Sequence, residues 1–314
     1  MTTQVSSETQ AGFNMQRRAA HDQRSALARR WGGRVFTWLL YVVIAFVFVT
    51  PMAWVVGNSF RSSQSIFANI YPFSWKTFIP YDEVSIKNYL QALGVGDVAK
   101  GLGFSLDQSL FISLSSALIV VASSLVINTA AAYFFGRLRF PRKGLLMVYV
   151  IITMMIPQQV VTVPLFLVVN QLGLTNTFWA LVVPWYASPF IVFALTQYFA
   201  ELPPELDEAA IMDGASLLQV LRYVVIPNSL PGLLTVSLLE FQFIWNEFYW
   251  PLVAISTKNL MPVQVAIATQ FTERDPQWGR VFAAMVLASL PIIILFIALQ
   301  RYFYNSVALS GVKG

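Results

Sequence analysis

Long apolar runs recur along the chain, at roughly 35–57, 108–134, 145–169, 178–199, 230–254 and 281–303, with polar stretches between them. Each run is continuous rather than alternating with period 2. Each is long enough to cross a hydrocarbon core of about 30 Å, which takes about 20 helical residues. A backbone in lipid must satisfy its own hydrogen bonds, so only helices or closed barrels can span, and unbroken runs do not fit the alternation of a barrel strand. The pattern predicts an all-α polytopic membrane protein with six transmembrane helices. Pro157 and Pro164 should loosen the third helix and free carbonyls to line a cavity. Pro184, Pro189 and Pro291 predict ordinary kinks.

The polar stretches give the organisation. Residues 1–34 form a basic tail carrying Arg17, Arg18, Arg24, Arg29, Arg30 and Arg34, residues 35–303 the membrane domain, and residues 304–314 a short C-terminal tail. The first apolar run is too long for the h-region of a cleaved leader and lacks a small-x-small end, so it reads as a span. Most of the 20 Lys and Arg residues fall on one set of helix ends, clearest in the short loop with Arg137, Arg139, Arg142 and Lys143. By the positive-inside rule both termini are then cytoplasmic. The outer segment 58–107 is long for a loop and should pack on the outer face of the bundle.

Composition narrows the chemistry. The chain is 57% hydrophobic and only 11% charged, against about 25% charged in soluble domains. It has no cysteine and a single histidine, His21, in the basic tail. Thiolate metal sites, Cys nucleophiles and Ser-His-Asp catalysis have almost no raw material. The net charge of +5 resides at helix ends, which points to a lipid bilayer and not to nucleic acid. No Gly-x4-Gly-Lys-Ser/Thr pattern occurs, so the chain has no P-loop for ATP phosphates.

The inner loop at about 200–228 is the most informative. Pro204 suits a first helical turn, and Glu205, Asp207 and Glu208 suit the positive end of a helix dipole. Gly214 suits a left-handed turn, and a second short helix should run from about Ser216 to Val225, stopping before Pro227. Ala209 and Ala210 permit close approach of another backbone. Leu206, Ala209, Ala210 and Met212 leave an apolar surface that wants a protein groove.

This loop resembles the EAA loop of binding-protein-dependent ATP-binding-cassette (ABC) importers, whose pattern is Glu-Ala-Ala, three residues, Gly, nine residues, Ile-x-Leu-Pro. Glu208, Ala209, Ala210, Gly214 and Pro227 match, while Val224 and Ile226 replace Ile and Leu. Other stretches resemble the second permease of carbohydrate importers of the maltose-transporter type. They are Ala131-Ala132-Tyr133 with Arg137, Met155-Ile156-Pro157, Val163-Pro164-Leu165, Leu172 through Thr177, Trp245-Asn246-Glu247-Phe248, Gln300 through Phe303, and Gly311 through Gly314. The likeness covers roughly residues 35–314 and is weak around 60–107.

The resemblance implies a type I ABC importer permease with Glu208, Ala209, Ala210, Asp213 and Gly214 as the element that couples to an ATPase. It implies no cofactor in this chain, ATP and Mg²⁺ being bound by two partner ATPase subunits. It also implies a second permease subunit in a heterodimer, an extracytoplasmic solute-binding protein, and a bacterial or archaeal cytoplasmic membrane. The solute class it implies is a di- or oligosaccharide or a related polyol.

Polar groups inside apolar runs are the candidates for a solute path. Glu240 and Glu247 are seven residues apart, on one face of a continuous helix about 10.5 Å along its axis. Trp245 and Asn246 lie beside them, and Gln158 and Gln159 follow Pro157. Acids and amides next to aromatic rings suit a polyol. Each residue also has a plainer reading. Trp245 fits an aromatic belt or core packing. Asn246 and Glu247 fit interhelical hydrogen bonds, and Gln158 and Gln159 fit a helix kink. Glu240 fits a solute contact, a partner for a basic group on the second permease, or a protonated packing residue. Three other functions remain open: an ATP-independent carrier, which needs an internal repeat and an ion-coupling carboxylate set; a non-transporting scaffold, which needs no ATPase-docking loop; and a membrane-embedded enzyme, for which two glutamates define no site.

Overall fold

The computed structural model describes residues 31, 33–68, 70, 75–78, 84–95, 105–272 and 275–310, the last ten by backbone alone. The expected tail over 1–34 lies almost wholly outside the described residues, as do parts of the 58–107 segment. The chain divides into two units, residues 1–57 and 58–314. The first holds nearly all of α1, Gly33–Asn58, an apolar helix long enough to span a membrane.

The second unit is built on α4, Leu106–Arg137, after two short helices, α2 (Ser63–Ala68) and α3 (Lys87–Ala92). There follow α5 (Lys143–Met154), α6 (Gln158–Gln171), α7 (Pro189–Glu201), α8 (Glu205–Met212), α9 (Leu217–Asn228), α10 (Leu230–Asn246), α11 (Tyr249–Ala254), α12 (Val263–Phe271) and α13 (Trp278–Ser310). Four described helical segments are long and apolar enough to cross a membrane, or up to six if each of two bent pairs forms one span.

The 32-residue α4 is the spine. Its buried face steps through Leu106, Ser109, Ser113, Ser116, Val120, Ser124, Asn128 and Ala132, the three- and four-residue spacing of one helix stripe. Small residues on this stripe let neighbouring backbones approach. Gly136 extends it: a Cβ there would lie 3.1 Å from Phe199 Cβ and 3.2 Å from the Thr196 carbonyl. α7 and α10 therefore pack closely on α4. Two apolar clusters result. One gathers Ile112, Ala117 and Val120 with Phe241, Ile244, Trp245, Trp250 and Ala284. The other gathers Ala132 and Tyr133 with Ile191, Leu195, Phe199, Val220, Val225 and Leu233.

Three apolar runs are not the straight helices that their hydropathy predicts. The third breaks after Met154, and α5 and α6 meet at 98°. Pro157 lacks an N–H and disfavours helical backbone at Ile156, so the ladder cannot cross this joint. Pro164 is accommodated inside α6. The fourth run opens with two short 3-10 turns, Phe178–Leu181 and Val183–Trp185, and becomes α-helical only at Pro189. Pro189 starts α7 rather than kinking it, with Ser188 as the N-cap. The fifth run ends its helix at Asn246, and Glu247 has extended backbone. The helix after Gly214 does not stop before Pro227. It passes through it, because residues Leu221–Val225 widen into a π-helical turn that re-pairs the ladder ahead of the proline. The last helix continues to Ser310, beyond the run ending at 303.

Candidate functional site

The loop singled out in the sequence folds as two helices joined by a defined turn. α8 carries Glu205, Asp207 and Glu208 in its first turn, where the helix dipole favours acids. At its end Gly214 has φ +84°. The Gly214 N–H donates to the Ile211 carbonyl at 2.9 Å and the Ala215 N–H to the Ala210 carbonyl at 3.0 Å, the bond pair of a Schellman turn. Ser216 then caps α9: Gln219 Oε1 accepts its N–H at 2.7 Å.

The two alanines of the motif face differently. Ala210 packs against the apolar cluster under the loop, whereas Glu208, Ala209, Asp213 and Gly214 are exposed. The apolar patch around them is built from Ile211, Met212, Leu217 and Leu218, all exposed. The expected patch named Ala210 and omitted Ile211, Leu217 and Leu218. The helix phase decides this, because residues 207 and 210 point to the bundle together.

Sequence reasoning named Arg137 as an inner-loop charge and a family match but missed that it ties this loop to the bundle. Arg137, at the end of α4, places Nε 2.8 Å from Asp207 Oδ2. Its other nitrogens donate to the carbonyls of Leu202 (2.7 Å), Pro203 (3.0 Å) and Phe199 (3.3 Å). One guanidinium thus caps the C-terminal end of α7 and holds the first turn of α8. The available signals were an Arg closing a long apolar helix and an Asp in an otherwise amphipathic first turn, 70 residues apart.

The candidate solute-path residues do not converge on one place. Glu240 and Gln158 line a cavity of about 720 Å³ at the α5–α6 joint, with Trp185, Ser188, Phe190 and Phe243. Trp245 and Asn246 line a different cavity of about 510 Å³, bounded by α12 and α13. Trp245 is buried, its indole N–H donating to the Ala288 carbonyl at 3.1 Å and its ring stacked on Phe241. Glu247 lies just past the end of α10 and lines neither cavity. Its Oε1 accepts the Trp250 N–H at 2.9 Å and so caps α11. Gln159 is exposed and lines neither cavity. Among the described residues no group of three or more His, Cys, Asp or Glu could hold a metal ion.

Comparison with known proteins places this geometry. The profile of the family described as "Binding-protein-dependent transport system inner membrane component" matches residues 128–308. A probable ABC transporter permease of Bacillus subtilis is 30% identical over 291 residues, covering 91% of this chain and 91% of its own length. A trehalose/maltose transport permease of Thermococcus litoralis is 29% identical, covering 87% of this chain and 94% of its own. A chain in the crystal structure of a bacterial ABC transporter that imports the acidic polysaccharide alginate superposes with a TM-score of 0.72 at 22% identity, over 86% of this chain and 95% of that one.

Proposed function

Because the chain belongs to the family of binding-protein-dependent transport system inner membrane components, we propose that it carries a carbohydrate across the membrane and takes its driving force through α8. It is a multi-pass permease subunit of an ABC importer and not itself an enzyme. The carbohydrate reading is supported by the trehalose/maltose permease among its relatives.

The proposed assembly pairs this subunit with a second permease and two ATPase subunits that bind ATP and Mg²⁺. A solute-binding protein delivers the solute from outside, and both termini face the cytoplasm of a bacterium or archaeon. The exposed patch of Ile211, Met212, Leu217 and Leu218, with Glu208, Ala209, Asp213 and Gly214, docks in the ATPase groove. Closure of the two ATPases pulls on α8, and the bundle alternates between inward- and outward-facing states.

The observation that carries this reading is the Arg137 clamp. A helix free to swing would absorb an ATPase's movement locally. α8 is instead tied to the end of α4 by the Arg137–Asp207 pair, while the same guanidinium binds three carbonyls at the end of α7 and in the linker before α8, so displacement of α8 must move the bundle.

The test is solute-stimulated ATPase activity of the co-expressed complex in liposomes. Wild type should be stimulated, and Gly214→Pro and Glu208→Lys should lose stimulation or release the ATPase while the membrane subunits remain folded. The chain has no cysteine, so Ala209→Cys gives a unique thiol for crosslinking to the ATPase. Coupling that survives both substitutions, together with no crosslink, would overturn the docking assignment.

A further inference from the structure

Between the two apolar clusters, α4 buries a polar band that the coupling argument does not use. Its hydrogen bonds run in one direction. The Ser188 N–H donates to Asn128 Oδ1 at 3.1 Å, and the Asn128 amide donates to Ser124 Oγ at 2.6 Å. Glu240 is the buried carboxyl of the neighbouring α10.

Glu240 is only 6% exposed, yet it lines the 720 Å³ cavity at the α5–α6 joint. That volume lies within the roughly 300–1,000 Å³ of small-molecule sites. The described lining includes one carboxyl, the amide of Gln158 and the rings of Trp185, Phe190 and Phe243, but no Lys, Arg or His. An anion here would lose its hydration with no cation in the lining to replace it, an unfavourable exchange. A hydroxyl or ammonium donor would meet the Glu240 carboxyl. An apolar sugar face would meet aromatic rings, as in the edge-to-face pair that Trp185 and Phe243 already form at 5.3 Å.

We propose that this cavity is a solute site selective for polyhydroxylated compounds that are neutral or carry an amine, with Glu240 accepting the solute's donors and the three rings taking its apolar face. The proposal rests on the carbohydrate-import reading and adds the charge class of the solute.

The test is saturation-transfer NMR on the permease–ATPase complex in nanodiscs, without binding protein. The probes are maltose, a glucosamine disaccharide and digalacturonate. Wild type should bind the first two, with digalacturonate weaker by about tenfold or more. Glu240→Gln should weaken the glucosamine disaccharide by about tenfold and narrow its margin over digalacturonate. A fold defect lowers all three together, so the ratio of affinities separates a binding role from a structural one. Phe243→Ala should weaken all three and leave the ratio in place. An unchanged ratio in Glu240→Gln, digalacturonate binding as well as maltose, or no probe binding to wild type would each overturn the proposal. ATP-dependent sugar uptake by wild-type vesicles is read separately. The import reading fails only if that uptake is absent, so the two can fail independently.

Discussion

Arg137 and Asp207 meet at 2.8 Å with side chains only 6% and 16% exposed, although 70 residues and two complete apolar runs separate them. Breaking a buried pair by removing one partner costs about 3–5 kcal/mol, because the remaining charge stays desolvated. Asp207 already has a second oxygen, Oδ1, buried without a partner. Arg137→Ala should therefore be strongly destabilising, whereas the double variant Arg137→Ala/Asp207→Ala should recover part of the loss. Arg137→Lys should fail to substitute, since an ammonium cannot hold a carboxylate and three carbonyls in one plane. Thermal unfolding of the purified complex across the four-member cycle measures the coupling. Additive losses would mean that the pair is incidental.

Gly214 tests the turn rather than the surface. Its φ of +84° is strained for any residue with a Cβ, and a Cβ there would meet nothing within 4 Å. The penalty is conformational alone, about 1–2 kcal/mol. Gly214→Asn should be milder than Gly214→Val, because Asn tolerates the left-handed region. ATPase retention through gentle purification should follow the same order. Equal retention in both variants would show that docking does not depend on the turn.

Asn176 joins two loops. It sits at φ 57°, its Oδ1 accepts the N–H groups of Ser256 and Thr257 at 3.0 and 2.8 Å, and its amide donates to Thr257 Oγ1 at 2.8 Å. Asn176→Gly keeps the backbone conformation and loses the bonds. Asn176→Ala loses both. Ala should thus be worse than Gly by about 1 kcal/mol, and each should lower the melting temperature. If the two variants melt together, the strain at this position is unimportant.

Glu247 and Glu240 should separate functionally. Glu247→Ala removes the cap on Trp250 N–H and should cost about 1 kcal/mol of stability while leaving half-saturation for solute unchanged. A raised half-saturation constant in uptake assays would return Glu247 to the solute path.

Much of the fold was legible in the chain. The apolar runs announce membrane helices because lipid leaves the backbone no other option. Gly214 and the acids of α8 announce the helix–turn–helix through local backbone sterics and dipole effects, which need no tertiary partner. The single-helix reading of 230–254 fails at the break after Asn246, which hydropathy does not register. The belt, packing and solute readings of Trp245 differ only in which neighbour its N–H reaches, and that neighbour, the Ala288 carbonyl, is 43 residues away.

Local periodicity, proline and glycine thus determined where helices form, that the third run breaks at Pro157, and which loop carries the EAA-like motif. Long-range packing decided the rest: that Arg137 finds Asp207, that Ala210 turns inward while Ala209 stays open, and that Glu240 shares a cavity with Gln158 and not with Trp245. The physical reason is range. Backbone preferences act over a few residues, whereas hydrogen bonds and cavities depend on which helix faces close against one another, which only the small-residue stripe of α4, packed against α7 and α10, settles.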